Sequence, residues 1–165
     1  DYVASDRALD VLINNAGIAS RFTELTEATL EDFRNVYEIN VFGAAMMARE
    51  AAKVFKEQKS GNIINIASTA ALKGFARGTV YSSSKFALRG MTMCWQAELR
   101  PFNVRVFLVN PSEVKTAFAK DDREERPEEA NKLRSQEISH TIIGLLEMDD
   151  RGYIPEVTVH ATNPF

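Results

Sequence analysis

The chain has 165 residues, 45% of them apolar and 26% charged, with 20 Lys plus Arg against 23 Asp plus Glu and a formal net charge of −3. That balance fits one globular domain able to bury its own core, and it offers no basic excess for nucleic acid. No apolar run approaches the ~18 residues of a membrane helix, the opening residues show no signal-peptide pattern, and the single cysteine, Cys94, cannot form an intrachain bridge, which suits a reducing, cytoplasmic setting.

Four short apolar runs read as strands: 10–14, 62–67, 104–109 and 156–160. The second and third are close to continuously apolar, as expected of parallel strands covered on both faces. Helical patterns separate them. Residues 26–39 carry an acidic first turn and apolar Leu30, Phe33, Val36 and Tyr37, with Thr26 as the expected N-cap. A helix rich in Ala and Met follows over 41–58, with Gly61 as its stop signal. Residues 79–100 form a third helical pattern ended by Pro101, and 135–148 a fourth. Strands alternating with helices predict an α/β fold, a doubly wound parallel sheet with crossover helices. The charged stretch 120–137 reads as a solvated helix or loop, or as a lid beside a substrate site.

In an open α/β sheet, ligands bind beyond the carboxyl ends of the strands. Those ends carry Asn14-Asn15-Ala16-Gly17, Ala67-Ser68-Thr69 and Asn110-Pro111-Ser112. The helix starting at Thr79 opens near the same rim with Tyr81 and Lys85, four apart and so on one face. A phenol with an ordinary pKa of about 10 is a poor proton carrier near neutrality. A nearby ammonium favours the phenolate and lowers that pKa, which suits the pair to proton transfer at a carbonyl or alcohol oxygen. Ser68 adds a hydroxyl that could hold the same oxygen. Taken singly, each feature reads as ordinary structure: a chance helical pair, a turn serine, a strand-end asparagine.

Together, Asn14-Asn15-Ala16-Gly17, Asn40, Ser68, Tyr81-Ser82-Ser83-Ser84-Lys85 and the run Asn110 to Thr116, in that order, resemble the short-chain dehydrogenase/reductase family. The resemblance covers the chain from Leu9 to about Pro164. It implies the later part of a Rossmann-type sheet, strands four to seven of the family fold with their crossover helices. It implies an NAD(P)-dependent oxidoreductase that interconverts a carbonyl and a secondary alcohol. Tyr81 would be the general acid or base, Lys85 would lower its pKa and hold the nicotinamide ribose, and Ser68 would polarise the substrate carbonyl. Asn40 would kink the long helix and hold a relay water. Asn14, Ala16 and Gly17 would line the adenosine side of the cofactor. Ile66 and Ala67 would flank the nicotinamide, and Pro111, Val114 and Thr116 would wrap it. The alternative is a catalytically inactive fragment or binding module that keeps half of the fold.

Two departures from the family pattern stand out. Ser112 replaces the usual glycine after the proline, which restricts that loop. None of the eight glycines forms the phosphate-cradling turn between a strand and a helix. The resemblance therefore implies one incomplete domain over residues 1–165, preceded by three strands and two helices, on the order of 70 to 90 residues. The strand at 11–14 would then be an open edge, and a chain of only these residues would be poorly soluble or would self-associate. The closest branch is that of 3-oxoacyl-carrier-protein reductase-like carbonyl reductases, with a small carbonyl or alcohol substrate, an acyl thioester among them. The NAD or NADP determinant would lie upstream, and the resemblance alone leans to NADP. It also implies a homodimer or homotetramer. The expected substrate walls are 69–78 and 113–133, with Ala70, Leu72, Phe75 and Phe118 making them apolar. His140 and His160 lack partners at ligand spacing, so no metal is expected, and Cys94 and Trp95 read as packing residues.

Overall fold

The computed structural model describes residues 8–19, 21–118, 124 and 127–164. Its strands are β1 (Val11–Asn14), β2 (Gly61–Ile66), β3 (Val104–Pro111) and β4 (Glu156–Val159), and its helices are α1 (Leu30–Tyr37), α2 (Ala44–Gln58), α3 (Thr79–Leu99) and α4 (Ser135–Leu146). The sheet is parallel throughout, in the order β1-β2-β3-β4. Each strand after β1 is thus reached by a crossover, as the alternating pattern predicts.

Strand alternation divides the core between the two faces of the sheet. On one face Ile63, Val104 and Val106 pack with Ala48, Ala51 and Phe55 of α2 and Leu99 of α3. On the other, Ile64, Phe107 and Val109 pack with Ile138 and Leu145 of α4. All eight residues of β3 are buried, which explains its nearly continuous apolar run. β1 lies at the edge of this sheet, and Ile13 on its α4-facing side stays 47% exposed. Arg105 is buried within the sheet and turns its guanidinium to the end of α4, donating to the carbonyls of Leu146 (3.3 Å) and Met148 (2.9 Å). A cation there answers the negative end of the helix dipole and its free carbonyls.

Three local expectations need correction. The N-cap of α1 is Thr29, not Thr26. Thr29 Oγ1 accepts from the Asp32 amide at 3.1 Å and the Thr29 amide donates to Asp32 Oδ2 at 3.0 Å, a reciprocal box. Thr26 lies in a separate 3-10 turn, Leu25–Glu27. The stop of α2 is Lys59, which adopts the left-handed conformation (φ 59°), not Gly61. Gly61 already belongs to β2, and its bare backbone (φ +151°) accepts the Phe55 ring, which a Cβ would meet at 2.2 Å. Cys94 is exposed instead of packed, whereas its neighbour Trp95 does pack against the α2 core. Much of the charged stretch, 119–123 and 125–126, lies outside the described residues. Residues 127–134 form a loop, and its last residues start α4.

Candidate active site

α1 and α2 are joined by a π-helical turn, Glu38–Gly43, that holds Asn40. The wider turn rotates Asn40 inward, where only 1% of it is exposed. Its Oδ1 accepts from the Ile18 amide (2.8 Å), and its Nδ2 donates to the Ile18 carbonyl (2.9 Å) and to Ser84 Oγ (3.1 Å). Ser84 in turn donates to the Tyr81 carbonyl at 2.7 Å. Asn40 therefore ties the loop after β1 to the first turns of α3. A π-helical turn stands where the kink was expected, and the Asn40 side chain makes these three hydrogen bonds to protein groups.

The first turns of α3 present Tyr81 and Lys85 at the carboxyl edge of β2. Lys85 is 4% exposed, and its ammonium donates to the Ile66 carbonyl at 3.1 Å. Burial pushes its pKa down to about 8. The ammonium lies 5.8 Å from the Tyr81 ring centroid. Burial pushes the Tyr81 hydroxyl above the ordinary phenol range, opposed by a side-chain hydrogen bond with Ser68. The expected depression of Tyr81 by Lys85 is thus not what governs this state; desolvation outweighs the neighbouring polar groups. Ser68 is extended (φ −179°) ahead of the 3-10 turn Thr69–Ala71, and its Oγ accepts from the Ala70 amide at 3.1 Å.

These groups open into a cavity of about 1220 Å³. Of the expected residues, Gly17, Ile66, Ala67, Ser68, Tyr81, Lys85, Pro111, Val114 and Thr116 line it. From the loop after β1, Asn15 lines it along with Gly17, while Asn14 and Ala16 do not. The Asn14 side chain turns inward and donates to Asn65 Oδ1 (2.9 Å) and the Ala44 carbonyl (3.3 Å). Asn65 continues this buried chain to Thr92 at 2.8 Å. Asn14 is thus a structural tie between β1, β2 and α2. A Cβ on Gly17 would lie 3.5 Å from Lys85 Nζ, which places that backbone directly beside the ammonium.

The substrate-side expectation holds for Thr69, Ala70, Phe75 and Phe118, but Leu72 is not on the wall. Lys73 lies on the wall as the expected stretch 69–78 implies, and residues outside the expected walls that also line the cavity include Phe22, Ser135, Ile138, Ser139 and Ile142. Phe22 carries no local signal, since only folding brings its loop to Tyr81. Ile138 and Ile142 gave one, a four-residue apolar spacing, but it read as core. The loop from Glu113 is fixed by a bridge between Val114 and Leu133 and by Lys115 and Lys132, which both pair with Glu113. Among the described residues no cluster of His, Cys, Asp or Glu could hold a metal ion, and no helix is long and apolar enough to cross a membrane.

Comparison with known proteins agrees with this fold. L-2,3-butanediol dehydrogenase of Corynebacterium glutamicum is 45% identical over 93 residues, 56% of this chain and 36% of that protein. Dehydrogenase/reductase SDR family member 4 of Oryctolagus cuniculus is 31% identical over 159 residues, 92% of this chain and 61% of that protein. The chain thus spans between about a third and three fifths of these relatives' length. A closed form of serine dehydrogenase complexed with NADP+ superposes with a TM-score of 0.85 at 26% identity, over 96% of this chain and 68% of that one. An alcohol dehydrogenase from the archaeon Thermococcus sibiricus, complexed with 5-hydroxy-NADP, gives 0.84 at 26% identity, over 94% and 64%. The family profile described as short chain dehydrogenase matches residues 2–127, and with the fold and the Ser68–Tyr81–Lys85 arrangement in place, the chain belongs to the short chain dehydrogenase family.

Proposed function

We propose that the protein is an NAD(P)-dependent oxidoreductase that interconverts a secondary alcohol and a carbonyl, with Tyr81 transferring the proton. The observation that carries this reading is the buried Lys85 ammonium beside Tyr81 and Ser68 at the mouth of the cavity. An ammonium has three donors, and the hydrogen bond described for Lys85 goes to the Ile66 carbonyl. Its remaining donors face a region where Gly17 brings bare backbone close. That chemistry fits the hydroxyls of a ribose, so Lys85 and Gly17 would hold the ribose of a nicotinamide cofactor. Ile66, Ala67, Pro111, Val114 and Thr116 would enclose its ring. When bound, the nicotinamide supplies the hydride chemistry. The two structural relatives described above as complexes carry NADP or its 5-hydroxy form, which favours the nicotinamide class without separating NADP from NAD.

The chain's own residues supply geometry and proton transfer. Tyr81, held neutral by burial, is a phenol that can donate to a developing alkoxide and recover that proton in the reverse direction. Ser68, bonded to Tyr81 on one side, orients the same oxygen. Lys85, charged below about pH 8, stabilises negative charge developing on Tyr81. Asn40 acts through other groups as a positioning residue, by pinning Ile18 and Ser84. We further propose that copies pair through α2, the π-helical turn before it and α3, where Phe42, Met46, Met47 and Met93 are exposed; sedimentation showing a monomer would remove that pairing.

The test of the reaction is turnover of a panel of secondary alcohols and ketones with NAD and NADP, followed by nicotinamide absorbance. Activity with at least one cofactor is expected. No turnover in either direction, with neither cofactor bound, would leave the binding-module alternative.

A further inference from the structure

Three phenylalanines from three different loops meet around Tyr81. Phe22, in the loop after β1, stands edge-on to the Tyr81 ring at 88° and 6.2 Å between centroids. Phe118, in the loop after β3, lies 5.8 Å from Tyr81 at 55°. Phe75, between β2 and α3, touches Phe22 at 5.7 Å and 58°. None of these pairs is stacked face to face, so ring faces remain open to an occupant. Phe22 and Phe75 keep 40% and 48% of their surface exposed although both line a concave cavity. Phe75 is seated by its own turn, where the Gly78 amide donates to the Phe75 carbonyl at 3.1 Å. A Cβ at Gly78 would come within 2.5 Å of the Phe75 ring, so the ring rests on bare backbone. Ile138 and Ile142 of α4 extend the same apolar wall.

We propose that this aromatic wall selects a ring-bearing substrate: an aryl or alicyclic secondary alcohol, or the matching ketone, with its oxygen at Tyr81. This rests on the oxidoreductase reading above and names its substrate class. A flat or puckered ring offers edges and faces to Phe22, Phe75 and Phe118 at low cost in conformational freedom. A flexible alkyl chain must lose rotamers to cover the same surface.

The experiment compares 1-phenylethanol with 2-octanol, of equal carbon count, in the full chain. Turnover is read as kcat/KM, and binding of acetophenone and 2-octanone by calorimetry provides a readout independent of turnover. 2-Octanol carries the greater flexible apolar surface, so a ring preference cannot come from hydrophobicity alone. The expected result is a ring preference of roughly tenfold in both readouts, as for one or two aromatic pairs, reduced severalfold in Phe22→Leu and Phe75→Leu. Turnover without ring preference, or with 2-octanol preferred, overturns the substrate class and leaves the reaction intact. Tighter binding of acetophenone with no turnover of either alcohol supports the class and removes the reaction. Neither binding nor turnover overturns both.

Discussion

The two ends of the sheet are built from different materials. At the amino ends of β2 and β3, Phe55, Ile63, Val104 and Val106 close an apolar core on the α2 face, with buried Arg105 on the opposite face. Toward the carboxyl ends, buried Asn40, Asn65, Ser84, Lys85, Thr92 and Asn110 take over. An apolar core gains from burial alone. A buried polar network gains little on balance and punishes any lost partner. The first end holds the domain together; the second surrounds Tyr81, Ser68 and Lys85, the groups proposed for the proton transfer. A substitution at one end should therefore be read in stability, and at the other in turnover.

The sharpest break of that division is Phe55→Ala. The ring is fully buried, and its loss should cost about 3–5 kcal/mol, seen as a lower midpoint in denaturant melts. Any folded fraction should keep an unchanged KM. At the other end, Lys85→Met should lower kcat/KM by roughly a hundredfold or more, with cofactor affinity falling as well. It should also flatten one feature of the pH–stability profile. The Lys85 pKa falls from 10.5 to about 8 on folding, so between those values the unfolded chain holds a proton that the folded chain lacks. Stability in the ligand-free state should therefore rise with pH across that window, with the cost of burying the ammonium fully present below pH 8. Thermal melts of both proteins across the window check this, and an equal slope in the variant would refute it.

Asn40→Ala leaves the Ile18 amide and carbonyl without their partner. It should destabilise by about 2 kcal/mol and lower kcat more than it raises KM, because it acts through the position of α3. The smallest effect belongs to a residue remote from both ends of the division. Thr29→Ala removes the α1 box and should cost about 1 kcal/mol, with unaltered kinetics in a steady-state assay.

Much of this layout was legible in the residues. Short apolar runs locate the four strands to within two residues, and β2 and β3 most plainly, because burial on both faces leaves no alternation to misread. Tyr81, Lys85 and Ser68 were legible because four-residue spacing and strand ends fix their neighbourhood locally. Boundaries set by hydrogen-bonding competition were not. Thr26 and Thr29 are both plausible caps, and only the Asp32 reply selects Thr29. The α2 stop was misplaced because Lys59 takes a left-handed conformation usually left to glycine. The direction of the Asn14 side chain, toward Asn65 and Ala44, follows from strand phase, which motif order does not reveal. Phe22 was invisible for a different reason: its partners, Phe75 and Tyr81, lie more than fifty residues away.

The most direct test of the central claim is to measure turnover and cofactor affinity together in wild type and Tyr81→Phe. The substitution removes one hydroxyl from a half-buried ring and leaves the cavity shape. Turnover should fall by roughly a thousandfold while cofactor affinity stays within about twofold of wild type, a difference small against the 1.4 kcal/mol of a tenfold change. Turnover retained in Tyr81→Phe would contradict the account, since the proton would then travel by a route that Tyr81 does not provide.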